Sequence, residues 1–208
     1  MRLILARHGR TNGNVIKALD SKPPGLPLDD VGRGQAADLA GRLAAEPISA
    51  VYASPAVRAQ ETAAPVAAAH GLPVVVLDGV QEAFVGDLEG RTDPASHERF
   101  QGVYQAWLRG ELDVPLPGGE SALDVCARFI RAVEAVTADG RGTVVVVSHG
   151  GAIRLVVGVM LGEGAETRYV PNAGLVILTG GPGRWVLKHW DAAEPVAGDV
   201  TGGARIGW

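Results

Sequence analysis

The 208-residue sequence has one cysteine, no uncharged apolar run of eighteen residues and no excess of basic charge. Each absence removes a class of protein. A lone Cys126 permits no internal disulfide and no cysteine-built metal cage, which fits a reducing compartment. Without an apolar stretch long enough to span a bilayer, no membrane partner is expected. Apart from Arg2, Met1 to Ala6 is apolar but stops at Arg7 and His8, too short for a secretory apolar region, so the expected location is cytoplasmic. The formal net charge of −4 argues against a nucleic-acid partner, whose binders carry a basic face. The five histidines show no paired ligand spacing such as His-Glu-x-x-His, so no metal and no cofactor are expected.

What is present is core material. Hydrophobic residues make up 47% of the chain and charged residues 20%, enough for one sizeable domain. Short apolar runs at 2–6, 48–54, 73–77 and 143–148 read as buried strands of a largely parallel sheet. Between them lie amphipathic helices. Ala36, Leu39, Ala40, Leu43 and Ala44 recur at helical spacing behind an N-cap at Asp29 or Asp30. Further helices are predicted over 57–70, over 94–108, from Ser121 onward and over 152–161. In the one opened by Ser121, Cys126 shares a face with Phe129, Ile130 and Val133 and reads as core, not as a nucleophile. "LVILT" and "RWVLKHW", separated by "GGPGR", read as a terminal hairpin. The fold class is therefore α/β, a three-layer α/β/α sandwich with a mostly parallel central sheet and an antiparallel edge strand. The domain is expected over 1–192, and the tail 193–208, rich in Gly, Ala and Asp, reads as loosely ordered.

In such folds ligands bind at the carboxyl ends of the strands. "LILARHGRTNGN" (3–14) places Arg7, His8 and Arg10 at one such end, a density of cations that suits an anion. "TVVVVSHGGAIRLV" places His149 at another, followed by Gly150 and a helix start whose free N–H groups and positive dipole end favour negative charge.

"RHGRTNGN" (7–14), "LDDVGRGQA" (28–36), "SPAVRAQETA" (54–63), "EAFVGDLEG" (82–90), "PGGES" (117–121) and "SHGG" (148–151) occur in the order seen in the histidine phosphatase superfamily, which the chain resembles over about residues 1–190. That resemblance implies a phosphoglycerate-mutase-like fold and gives roles to particular residues. His8 matches the nucleophile, whose ring nitrogen attacks phosphorus to form a phosphohistidine. Arg7, Arg58, His149, Asn14 and the backbone at Gly150 match groups that hold the phosphoryl oxygens. Together they would replace the Mg²⁺ clamp of other phosphoryl-transfer enzymes. Glu82 matches the acid that protonates the leaving oxygen, with Asp87 and Glu89 as rivals.

Thr11 reads either as a phosphate-facing hydroxyl or as a cap to the turn. Arg10 stands where the family usually has Glu or Gln, so it either attracts a second anionic group of the substrate or pairs with a carboxylate such as Asp87. The superfamily includes hydrolases and bisphosphoglycerate-dependent mutases. This chain has Gly13 before Asn14, and only Arg91, His97, Arg99 and Arg109 as basic residues between 91 and 120. That favours a phosphomonoester hydrolase for a small anionic phosphorylated substrate, ahead of a mutase and of a catalytically silent binding protein. A homodimer through a sheet edge is a further expectation.

Overall fold

The computed structural model describes residues 1–140, 142–162 and 164–191, so the expected tail from 193 lies outside the described residues. A six-stranded sheet is built from β1 (Arg2–Arg7), β2 (Ile48–Ala53), β3 (Val74–Val76), β4 (Thr143–Ser148), β5 (Leu175–Gly181) and β6 (Arg184–Trp190), in the order β3-β2-β4-β1-β5-β6. β1, β2, β3 and β4 are parallel. β5 runs against β1, and the terminal hairpin adds β6 antiparallel to β5. The hairpin thus forms the antiparallel edge of the sheet, with β6 outermost.

The apolar run of β4 is explained by two covered faces. Val144 and Val146 pack into one core, Val145 and Val147 into the other, as expected where successive side chains alternate across a sheet buried on both sides. One layer holds α2 (Asp30–Leu43) and α3 (Val57–Ala69), through Leu39, Leu43, Ala63 and Val66. The other holds α4 (Pro94–Leu108), α5 (Ala122–Thr137) and α6 (Gly150–Leu161), through Phe100, Trp107, Phe129 and Ile153. Cys126 is buried in this second core, and burial pushes its thiol up to about 11, the inert state expected of a packing cysteine.

Helix starts follow side-chain chemistry. Asp29, not Asp30, caps α2 by accepting from Gly32 N–H at 2.7 Å. Asp93 caps α4 ahead of Pro94, and Ser121 and Asp124 form a reciprocal capping box at α5. Two departures from the sequence expectation bear on the site. α6 begins at Gly150, directly after His149, and not at 152. A short helix, α1 (Asn12–Ile16), follows the first motif where none was expected, closed by a box in which Thr11 and Asn14 satisfy each other's backbone N–H. Five residues carry too little periodicity to reveal such a turn.

Candidate active site

The site begins with register. β1 and β4 are neighbours, and Arg7 pairs with Ser148, so the next residues of both strands, His8 and His149, emerge side by side with ring centroids 5.1 Å apart. β2, on the other side of β4, ends one residue before Ser54. The Ser54 hydroxyl lies 2.8 Å from His149 Nε2. Arg58, in the first turn of α3, enters between the two imidazoles. Its Nε donates to His8 Nε2 at 3.2 Å and its Nη2 reaches His149 Nδ1 at 3.2 Å. Asp20 holds the other side of this guanidinium, accepting at its backbone oxygen at 2.8 Å and its carboxylate at 3.3 Å. His8, His149, Arg58, Arg7 and Glu82 are all buried.

These contacts define the state of His8. Nδ1 lies 2.7 Å from the Gly9 carbonyl oxygen, which can only accept, so Nδ1 carries the proton and Nε2 keeps its lone pair. Burial, reinforced by the positive charge of Arg58 and then Arg7, holds His8 well below its ordinary pKa of 6.5. Burial, then Arg58 and His8, do the same to His149. Both imidazoles are neutral at pH 7, and a neutral Nε2 is what a nucleophile needs.

Arg7 is wholly buried. Its Nη1 donates to Tyr169 Oη at 2.6 Å and to Val170 O at 3.0 Å, with the guanidinium 5.4 Å from the Tyr169 ring centre. Nε and Nη2 have no acceptor among the described residues. Two buried donors of one cation without acceptors are costly unless a ligand oxygen takes them. Gly150 lets Arg7 pass: a Cβ there would lie 3.1 Å from Arg7 Cδ and Nε.

Glu82 sits against the start of α6. One carboxylate oxygen accepts from Ala152 N–H at 2.7 Å and Ala83 N–H at 2.9 Å, the other from Gly151 N–H at 3.0 Å. The two rivals lie elsewhere. Glu89 accepts from the hydroxyl of Ser21 and from the backbone N–H groups of Ser21 and Lys22, and so shapes a loop. Asp87 lies against Gly118.

Asn14 and Thr11 share a cleft with His8, Gly13, Ala18, Asp20, Arg58 and Glu82. Thr11 caps α1 and lines this cleft as well. Asn14 Oδ1 accepts from Thr11 N–H at 3.0 Å and from Asn172 at 3.2 Å, which leaves the amide Nδ2 as the group to offer a ligand. Arg10 pairs with a carboxylate, as one of its two readings had it, but with Asp29 and not Asp87. Its Nε donates to Asp29 at 2.8 Å, bracing the cap of α2, and neither Asp87 nor the cleft residues form its partner. Arg154 donates to the hydroxyl and the carbonyl of Thr167.

Asp20, Ser54 and Tyr169 were not singled out from sequence. Ser54 had a usable signal, as the residue that ends a parallel strand beside His149. Asp20 and Tyr169 lie in irregular loops, the latter 162 positions from Arg7, and nothing in their local sequence marks them. Among the described residues no group of three or more His, Cys, Asp or Glu is placed to hold a metal ion, and no helix is long and apolar enough to cross a membrane.

The fold and site together define an α/β protein whose sheet edge presents a neutral imidazole nitrogen to buried guanidinium groups. The chain belongs to the histidine phosphatase superfamily (branch 1), whose family model matches residues 3–193. A glucosyl-3-phosphoglycerate phosphatase of Mycolicibacterium vanbaalenii is 31% identical over 222 residues, covering 96% of this chain and 98% of that protein. A metal-independent phosphoserine phosphatase of Arabidopsis thaliana is 29% identical over 193 residues, covering 90% and 80%. The native structure of a mycobacterial glucosyl-3-phosphoglycerate phosphatase superposes with a TM-score of 0.78 at 29% identity, covering 92% of this chain and 99% of that one. Other curated relatives, from Mycobacterium tuberculosis and Mycobacterium bovis, are longer: the chain spans 35% to 46% of their length.

Proposed function

We propose that this chain is a metal-independent phosphomonoester hydrolase, working in the cytoplasm on a small phosphorylated metabolite through a phosphohistidine on His8. The observation that carries the reading is the His8 ring, with Nδ1 tied to Gly9 O at 2.7 Å and Nε2 facing the Arg58 guanidinium. Nε2 attacks phosphorus as the ester P–O bond breaks, and the Glu82 carboxyl gives its proton to the departing oxygen. Water then attacks the phosphohistidine, the N–P bond breaks, and Glu82 recovers a proton from that water. Arg7 and Arg58 hold the phosphoryl oxygens in a water-poor site, where fixed donors stabilise the transition state.

The cleft argues for hydrolysis over mutase chemistry. Its lining has one cation, Arg58, against two carboxylates, Asp20 and Glu82, and so no clamp for the carboxylate of a glycerate. Of the four basic residues between 91 and 120, three have partners outside the cleft: Arg91 with Asp93, Arg109 with Glu111, and His97 with Lys17 O. Gly13 adds no side chain to the cleft wall. Without retention of an intermediate, water reaches the phosphohistidine first.

The test is p-nitrophenyl phosphate hydrolysis with and without EDTA, beside His8→Ala. Activity insensitive to chelator and lost by about 10⁴-fold or more in the variant is expected. Hydrolysis that survives His8→Ala, or that EDTA abolishes, sinks the mechanism. With 3-phosphoglycerate, isomerisation faster than phosphate release would make the protein a mutase.

A further inference from the structure

The segment that delivers Glu82 is irregular from Leu77 to Val85, and no helix or strand ladder takes the carbonyls from Gly79 to Glu82. Side chains from other elements do so instead. Arg128, on α5, donates from Nη1 to the carbonyls of Gly79 at 2.8 Å and Gln81 at 2.9 Å, and from Nη2 to the carbonyl of Glu82 at 2.8 Å. Ser148, at the end of β4, donates its hydroxyl to the Val80 carbonyl at 2.7 Å. Glu120, just ahead of α5, accepts from Arg128 Nε at 2.7 Å and Nη2 at 2.8 Å, and from Phe84 N–H at 2.8 Å. Gly79 makes the close approach possible. It has φ 96°, and a Cβ there would lie 2.8 Å from the Arg128 carbonyl oxygen.

The chemistry is complete on the arginine side. A guanidinium has five N–H donors in a rigid fork, and each meets one acceptor: three carbonyls and two carboxylate oxygens. Every carbonyl from Gly79 to Glu82 is held, and so is the N–H two residues beyond Glu82. The carboxylate of Glu82 is then set against α6 by the N–H groups of Gly151 and Ala152.

We infer that the Arg128–Glu120 pair is a positioning device for the proton donor, fixing the backbone on both sides of Glu82 so that its carboxyl meets the leaving oxygen. The inference rests on the reading of Glu82 as the acid. Neither residue touches substrate. Lysine cannot replace Arg128, because an ammonium offers three donors without the planar fork.

A loosened acid has a signature that general destabilisation lacks. p-Nitrophenolate departs as an anion and needs no proton, whereas an alkoxide does. kcat/KM reports events up to the break of the ester bond, so it is compared for p-nitrophenyl phosphate and glycerol 2-phosphate. Glu82→Gln should lower kcat/KM for the alkyl ester about 100-fold or more, with a much smaller loss on the aryl ester. Arg128→Lys and Glu120→Gln should show the same bias at about 10-fold on the alkyl ester, with the aryl ester within about 2-fold. Glu120→Gln keeps the shape of the site and carries the test if Arg128→Lys does not fold.

Equal losses on both substrates in the clamp variants, or no loss, overturn the inference while a biased Glu82→Gln leaves the acid reading standing. If Glu82→Gln is itself unbiased, the acid reading falls and the clamp with it.

Discussion

The two halves of this site are held by different physics. His8 and His149 are placed by adjacent parallel strands in register, their positions following from a ladder of backbone hydrogen bonds and two buried faces. Glu82 stands opposite on chain with no regular structure, placed by one guanidinium, one carboxylate and the first N–H groups of α6. A ladder spreads its positional information over many equivalent bonds, so no single distant residue controls it. A clamp concentrates that information in one or two side chains, which can be altered without touching the reacting atoms. On the proposed mechanism the sheet half binds the phosphoryl group and attacks phosphorus, and up to the break of the ester bond the loop half serves only the leaving group. Changes in the first should therefore act on every substrate alike, and changes in the second according to how badly the leaving group needs a proton.

After loss of His8 itself, the largest expected effect also lies on the sheet half. Arg58→Ala removes the guanidinium between the two imidazoles and strands Asp20. kcat/KM should fall about 10²- to 10³-fold on aryl and alkyl phosphates equally, the scale of losing a fixed transition-state donor. A loss confined to alkyl esters would erase the contrast between the halves.

A smaller and oppositely signed pair of effects is expected at Gly151. A Cβ there would lie 2.9 Å from one Glu82 carboxylate oxygen and 3.2 Å from the other, so alanine pushes the acid away. Alanine also favours helix over glycine by about 1 kcal/mol. Gly151→Ala should hold or raise the melting temperature while lowering alkyl phosphate turnover about 10-fold. A melting temperature that falls along with equal losses on both ester types would show that packing, not acid placement, is what Gly151 protects.

The same contrast separates what the sequence disclosed from what it did not. The strand 143–148 was readable because a run of valines suits a sheet buried on both faces, and His149 was readable because it ends that run. Asp29 and Ser121 announced their helices through local capping chemistry. Arg128 announced nothing: on an amphipathic helix it resembles any solvated cation, and its carbonyl acceptors lie 46 to 49 positions away. The choice between the two readings of Arg10 was hidden for a related reason. An arginine beside the nucleophile motif suggests a substrate contact, yet its carboxylate partner is the cap of α2, a pairing fixed by the packing of α2 against the loop. A Cβ on Gly9 would lie 2.6 Å from the Gly32 carbonyl oxygen. Local pattern reveals elements and their ends; it does not reveal which side chains from one element will hold the backbone of another.

The smallest effect concerns stability, and it tests whether the sheet half carries its electrostatic cost as described. His8 and His149 are both held well below 6.5, by burial first and then by Arg58. Below pH 6.5 the unfolded chain takes up protons at these positions that the folded chain refuses, so the unfolded state binds more protons and stability rises with pH. Stability contributed by the neutral rings is therefore complete above that pH and is lost as pH falls toward the folded values, by at most about 1.4 kcal/mol per pH unit for each histidine. Urea midpoints at pH 7 and pH 5.5 should show this decline, and His149→Asn should reduce its slope by about half. A slope that survives loss of His149 would place the pH-sensitive cost outside the paired imidazoles.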